Sequence, residues 1–102
     1  MSIAKNILRI SAVDGTVRRA GNTLAFTHHI AIATDAPATG TLKIEAKPPG
    51  SATFEAIPGA EALDLAALES IQVLGLMEEF ELTLTNVTGA TELTITDSCE
   101  TL

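Results

Sequence analysis

The sequence predicts an all-β fold: a single small antiparallel β-sandwich or barrel-like domain over residues 1–102, with about seven to eight strands. Three observations predict it. Apolar and polar residues alternate with period two along several segments, the spacing of a half-buried strand. Gly, Pro, Asn and Asp fall between those segments as turn formers. The apolar set, 46% of the chain, is rich in Ala, Leu and Ile, with Thr abundant beside it, so one modest core can form without a metal or a disulfide.

Taken in order, residues 7–13 and 16–20 flank Asp14-Gly15, a dipeptide that predicts a tight hairpin. Ala20-Gly21-Asn22 predicts the next reversal. Leu24, Phe26, His28, Ile30 and Ile32 alternate with Ala25, Thr27, His29, Ala31 and Ala33, a long strand over 23–34. A loop with Pro37 and Gly40 follows. Leu42, Ile44 and Ala46 then alternate with Lys43, Glu45 and Lys47, a strand with one solvated face. Pro48-Pro49-Gly50 and Ile57-Pro58-Gly59 interrupt any ladder. Residues 59–70 are rich in helix-forming Ala, Leu and Glu, yet Leu63 and Leu65 alternate, so a short strand at 62–65 and then a turn is expected, with helix the alternative. Residues 70–76 return as a strand with a bend at Gly75. Phe80, Leu82 and Leu84 mark the next strand, Leu93 and Ile95 the last, and residues 86–90 join these two.

The net charge is −7 and unevenly spread along the chain. Residues 1–47 carry six bases (Lys5, Arg9, Arg18, Arg19, Lys43, Lys47) against three acids, while residues 48–102 carry ten acids and no base. An acidic excess of this kind serves solubility; the alternative is a charge-segregated surface that docks onto copies of itself or onto a basic partner. Direct nucleic-acid binding is disfavoured for so acidic a chain, and no segment is long and apolar enough for a membrane helix. Three Phe with no Tyr or Trp leave few stacking platforms for sugars or bases.

No motif for catalysis stands out, and no cofactor and no metal is expected. His28 and His29 are neighbours on a strand and point to opposite faces, so they cannot share one ion. His28 falls on the face of Phe26 and Ile30, which makes it a buried or interfacial histidine. Cys99 is the single cysteine, so no internal disulfide is possible; nearby Asp97 and Glu100 disfavour its thiolate. Glu79 and Glu81 can share one strand face, but a solvated face explains them as well as acid–base work does. The candidate contact residues for other protein chains are Arg18, Arg19, His28, His29, Glu78 and Glu79.

One stretch carries a resemblance. It runs from Thr39-Gly40-Thr41-Leu42 through Lys47-Pro48-Pro49-Gly50, Phe54, Leu63-Asp64-Leu65 and Ile71-Gln72-Val73 to Phe80-Glu81-Leu82. This order resembles small β-sandwich structural proteins of tailed bacteriophages. The resemblance implies a virion structural protein, an oligomeric capsid decoration or cement or a tail-associated subunit. Its partners would be copies of itself, as a homo-oligomer such as a trimer, and other virion proteins, with no direct nucleic acid and no membrane. The N-terminus lacks the basic-then-apolar pattern of a signal peptide, so synthesis in the host cytoplasm and a virion location are expected. The alternative is a small module that binds a host-surface ligand such as a glycan. A small hydrolase is the third and weakest possibility.

Overall fold

The computed structural model describes residues 2–23 and 25–101; Leu24 and the side chain of Phe26, both expected on the third strand, lie outside them. The described chain is all-β. Its strands are β1 (Ser2–Ser11), β2 (Gly15–Asn22), β3 (Ala25–Thr34), β4 (Thr39–Lys47), β5 (Glu55–Ala56), β6 (Leu63–Asp64), β7 (Ser70–Leu74), β8 (Met77–Thr88) and β9 (Glu92–Thr101). Two of the nine strands are two-residue pairings, which is why the count exceeds the seven to eight that the alternation suggests. The strand at Leu63–Asp64, followed by a turn, settles the ambiguous 59–70 segment.

The strands form two antiparallel sheets. Sheet I has the order β1-β9-β3-β7, and sheet II the order β2-β8-β4-β5 with β6 also pairing β4. From β1 to β4 and from β7 to β9, every successive strand changes sheet. That strand order, with no long strand paired to its sequence neighbour, is a double-sheet jelly roll. Sequence-local pairing is thereby overturned at Asp14-Gly15. β1 pairs β9 and β2 pairs β8, so this turn is a crossing between sheets and not a hairpin. The Asp14 carboxylate instead accepts the backbone N–H of Val87 at 2.8 Å, tying the crossing to the end of β8.

The reversal expected at Ala20-Gly21-Asn22 also lies elsewhere, since these residues complete β2. Gly21 is needed for close approach: a Cβ there would sit 2.2 Å from the Met77 carbonyl oxygen. At Gly40 a Cβ would lie 2.7 Å from the Asn86 carbonyl oxygen. Here β8 carries one extra residue opposite β4, and Asn86 adopts a left-handed φ of 55°, a conformation Asn tolerates better than most residues.

The alternating pattern sorts side chains as the sequence implies. Leu8 and Ile10 on β1, Ile30 and Ile32 on β3, Leu42 and Ile44 on β4, Phe80, Leu82 and Leu84 on β8, and Leu93 and Ile95 on β9 make one core between the sheets. The core covers both inner faces, so neither sheet can shift register by one residue without exposing its apolar set.

Candidate functional site

The inner face of sheet I is not wholly apolar. β3 and β9 lie side by side, with His28 opposite Cys99 and Ile30 opposite Asp97. On β9 the inward positions run Leu93, Ile95, Asp97, Cys99, so the last two continue the apolar series with polar groups. His28, Asp97 and Cys99 are fully buried. His28 Nδ1 lies 3.0 and 2.9 Å from the two Asp97 carboxylate oxygens, so its N–H donates to the carboxylate. The Cys99 thiol lies 3.5 Å from the same nitrogen and donates to the Asp97 carbonyl oxygen at 3.5 Å. Burial, then the neighbouring Asp97, push the thiol up to about 12, against a hydrogen bond from Asn22.

This arrangement limits the chemistry available. A thiol so strongly protonated is a poor nucleophile. Its sulfur meets the same imidazole nitrogen as the carboxylate, whereas a base-and-orienter relay needs them on opposite nitrogens. The three donor atoms lie within 4.8 Å of one another, and Cys, His and carboxylate are a zinc-type donor set. Binding an ion there would require both the imidazole N–H and the thiol to give up protons that they now donate to Asp97. The hydrogen bonds already satisfy the cluster, so its demonstrable role is to fix β3 against β9.

The sequence reading found His28 on an inward face but stopped the last strand near Ile95, so Asp97 and Cys99 were missed as its partners. Extending the alternation by four residues would have found them. Of the contact residues expected, His28 is thus corrected: it lies inside its own chain and is unavailable to another. His29 is exposed on the outer face of sheet I. Arg18, Arg19, Glu78 and Glu79 lie on sheet II. Arg18 pairs with Glu81 at 3.0 Å, Lys47 with Glu79 at 3.2 Å, and Lys43 with Glu45 at 3.6 Å. Phe54 lies between Arg18 and Lys47, whose charged groups are 4.8 and 5.7 Å from its ring centre, so this ring is occupied by cations. Arg19 is half-buried and donates to the Arg18 carbonyl; Glu78 is exposed. The charge segregation along the sequence is undone here, because acidic β8 lies between basic β2 and β4.

The sheet edges differ. β5, at the edge of sheet II, is two residues long and flanked by Pro48, Pro49 and Pro58, which blunt it. β1 and β7, the edges of sheet I, contain no proline, and β7 (SIQVL) carries no charge. Five large apolar side chains are exposed among the described residues: Ile7 48%, Val13 64%, Leu68 46%, Leu74 65% and Leu76 41%. All five lie on β1 or β7 or within two residues of them. Beside β7 opens a cleft of about 310 Å³ with Ile57, Val73 and Met77 in its lining and Leu74 and Leu76 among its walls.

No protein-family model matches the sequence, and no curated protein matches it. Solved structures do share its fold. The Yersinia pseudotuberculosis-derived mitogen is 13% identical over 97% of this chain and 86% of its own, with a TM-score of 0.59. A chain of the Bacillus endospore appendages, which form disulfide-linked pili, is 15% identical over 99% of this chain and 88% of its own, TM-score 0.53. A chain of the capsid of Helicobacter pylori bacteriophage KHP30 is 8% identical over 100% of this chain and 89% of its own, TM-score 0.53. The class of molecule is therefore a small jelly-roll β-sandwich, a fold that capsid and pilus proteins share with others.

Proposed function

We propose that this chain is a structural subunit of a bacteriophage particle, an oligomeric capsid decoration or cement or a tail-associated component, and not an enzyme. One observation carries the proposal. The His, Asp and Cys side chains that cluster are buried and mutually satisfied, whereas the large exposed apolar side chains lie on, or within two residues of, the two edge strands of sheet I. The polar cluster thus serves the fold, and the surface is arranged for contact with protein. The fold shared with a phage capsid chain and a pilus chain supports this, as does the strand and loop order of residues 39–97. Function would be geometric, with the particle gaining contacts and no bond made or broken.

Two measurements test the proposal. Light scattering after gel filtration should give a mass above one chain that rises with concentration; a monomer at every concentration would refute self-assembly. Mass spectrometry of purified particles should find the chain in stoichiometric amount. Its absence from particles, with abundance in the host lysate, would refute a virion location.

A further inference from the structure

We propose that copies of this chain join head to tail through sheet I, with β1 of one copy adding beside β7 of the next. The inference rests on the self-assembly reading above and names the surface that performs it. The sheet contains four strands, each antiparallel to its neighbour. Its two edges therefore run in opposite directions. A second copy placed alongside, without being turned over, brings its β1 antiparallel to the first copy's β7. The alternation then continues, and both core faces stay on the same side of the joined sheet. Such a contact is heterologous, closing into a ring or running on as a filament according to the rotation per subunit.

Three features favour this joint over others. Ile7 is exposed on the outer face of β1 and Leu74 on the outer face of β7, so both edges expose apolar surface that strand addition covers. Charge complements the polarity. Lys5 and Arg9 flank Ile7 and make no ion pair among the described residues. In the antiparallel joint the Arg9 end of β1 comes alongside the start of β7, where Glu69 is exposed. A symmetric β1–β1 pair would instead set Lys5 against Arg9, a like-charge contact. Finally, the cleft opens beside β7, so an incoming β1 covers its apolar wall. Sheet II offers no equal surface: its β5 edge is short and proline-flanked, and its β2 edge exposes no large apolar side chain and carries Arg18 outward.

The test uses the full chain and sedimentation velocity across a range of concentrations. Ile7→Lys disables the β1 edge and Leu74→Lys the β7 edge; both side chains are exposed, and circular dichroism checks that each variant folds. Each alone should be monomeric, and an equal mixture should form a 1:1 heterodimer, since each retains the edge that the other lacks. Charge exchange provides a milder second set. Arg9→Glu and Glu69→Arg should each weaken association by ~10-fold, and the two together should restore it. Ile7→Lys persisting alone as a dimer would overturn the inference in favour of a β7–β7 pair. Wild-type assembly that survives both lysine variants would overturn it while leaving self-assembly standing. A wild-type monomer at all concentrations would overturn both.

Discussion

The two sheets share a core but manage charge in opposite ways. Sheet II has an inner face of apolar side chains with Phe80 at its centre, broken only at the β2 edge by the half-buried Arg19 opposite Phe80, and an outer face laced with ion pairs. Sheet I buries the His28–Asp97 pair and shows solvent an outer face of Thr94, Thr96, Ser98, Ala31 and Ala33 at its centre, with the charges of Lys5 and Arg9 kept to its β1 edge. Charge on a solvated face costs little and adds little. Charge inside a core is strongly destabilising once its partner is gone. Sheet I is thus the specific, fragile layer inside and the bare, available one outside, while sheet II is conventional within and well solvated without.

The largest expected effect breaks that buried pair. Asp97→Ala should cost about 3–5 kcal/mol, because His28 is left in the core without its acceptor. Replacing both residues by Leu should cost far less than Asp97→Ala alone; equal losses in denaturant unfolding would show that packing, not pairing, is at stake. On sheet II, Phe80→Ala should cost a similar ~3–5 kcal/mol, but from cavity formation, and with no partner substitution able to recover it.

A smaller effect is confined to sheet I and to alkaline pH. The folded-state thiol of Cys99 is raised from 9.0 to about 12. The contribution is therefore complete below pH 9 and is lost as pH rises, because the unfolded chain releases this proton first. Between pH 9 and 10 the wild type should lose about 1 kcal/mol more than Cys99→Ala, measured by urea unfolding at each pH. Parallel curves for the two proteins would mean that the thiol is not held protonated.

The next prediction falls on the outer face of sheet II. Arg18→Ala or Lys47→Ala should each cost less than ~1 kcal/mol, with the difference shrinking in high salt. A loss above that would mean that Phe54 and its two cations form a cooperative unit. The slightest effect lies at the end that joins the sheets. There the Asp35 carboxyl is held below its ordinary 3.8, chiefly by the Thr91 hydroxyl and then by the N–H groups of Glu92 and Thr91. Its contribution is present above pH 3.8 and is lost as pH falls through the lower folded-state value. Asp35→Asn should flatten that acid limb of the stability curve; an unchanged limb would show that the hydrogen bonds do not depend on the charge.

Much of this contrast could be read from the residues. The inward series Leu42, Ile44, Ala46 and Phe80, Leu82, Leu84 were plain, as were the prolines that blunt the β5 edge. His28 was placed on an inward face correctly. The site was legible only in half, because the apolar inward series of β9 ends at Ile95. Asp97 and Cys99 obey the same parity but break the hydropathy signal. The hairpin expected at Asp14-Gly15 failed for a different reason. A tight-turn dipeptide reports local backbone freedom, and here that freedom serves a crossing whose Asp14 carboxylate caps Val87, 73 residues away in the chain.

By itself the sequence determined which side chains face inward, where the chain can bend and that the elements are strands, since all three follow from a few neighbouring residues and the two-residue pleat. Only the tertiary structure decided which strands pair. The core forces successive strands onto opposite sheets, and the partners of β1, β2 and β3 are set by closure of that core and not by nearby residues. The same closure places acidic β8 between basic β2 and β4, brings His28 to Asp97 and leaves β1 and β7 each with one open edge. Hydrogen bonds between strands some 70 residues apart carry no local signature, because any strand of suitable length and parity can accept them.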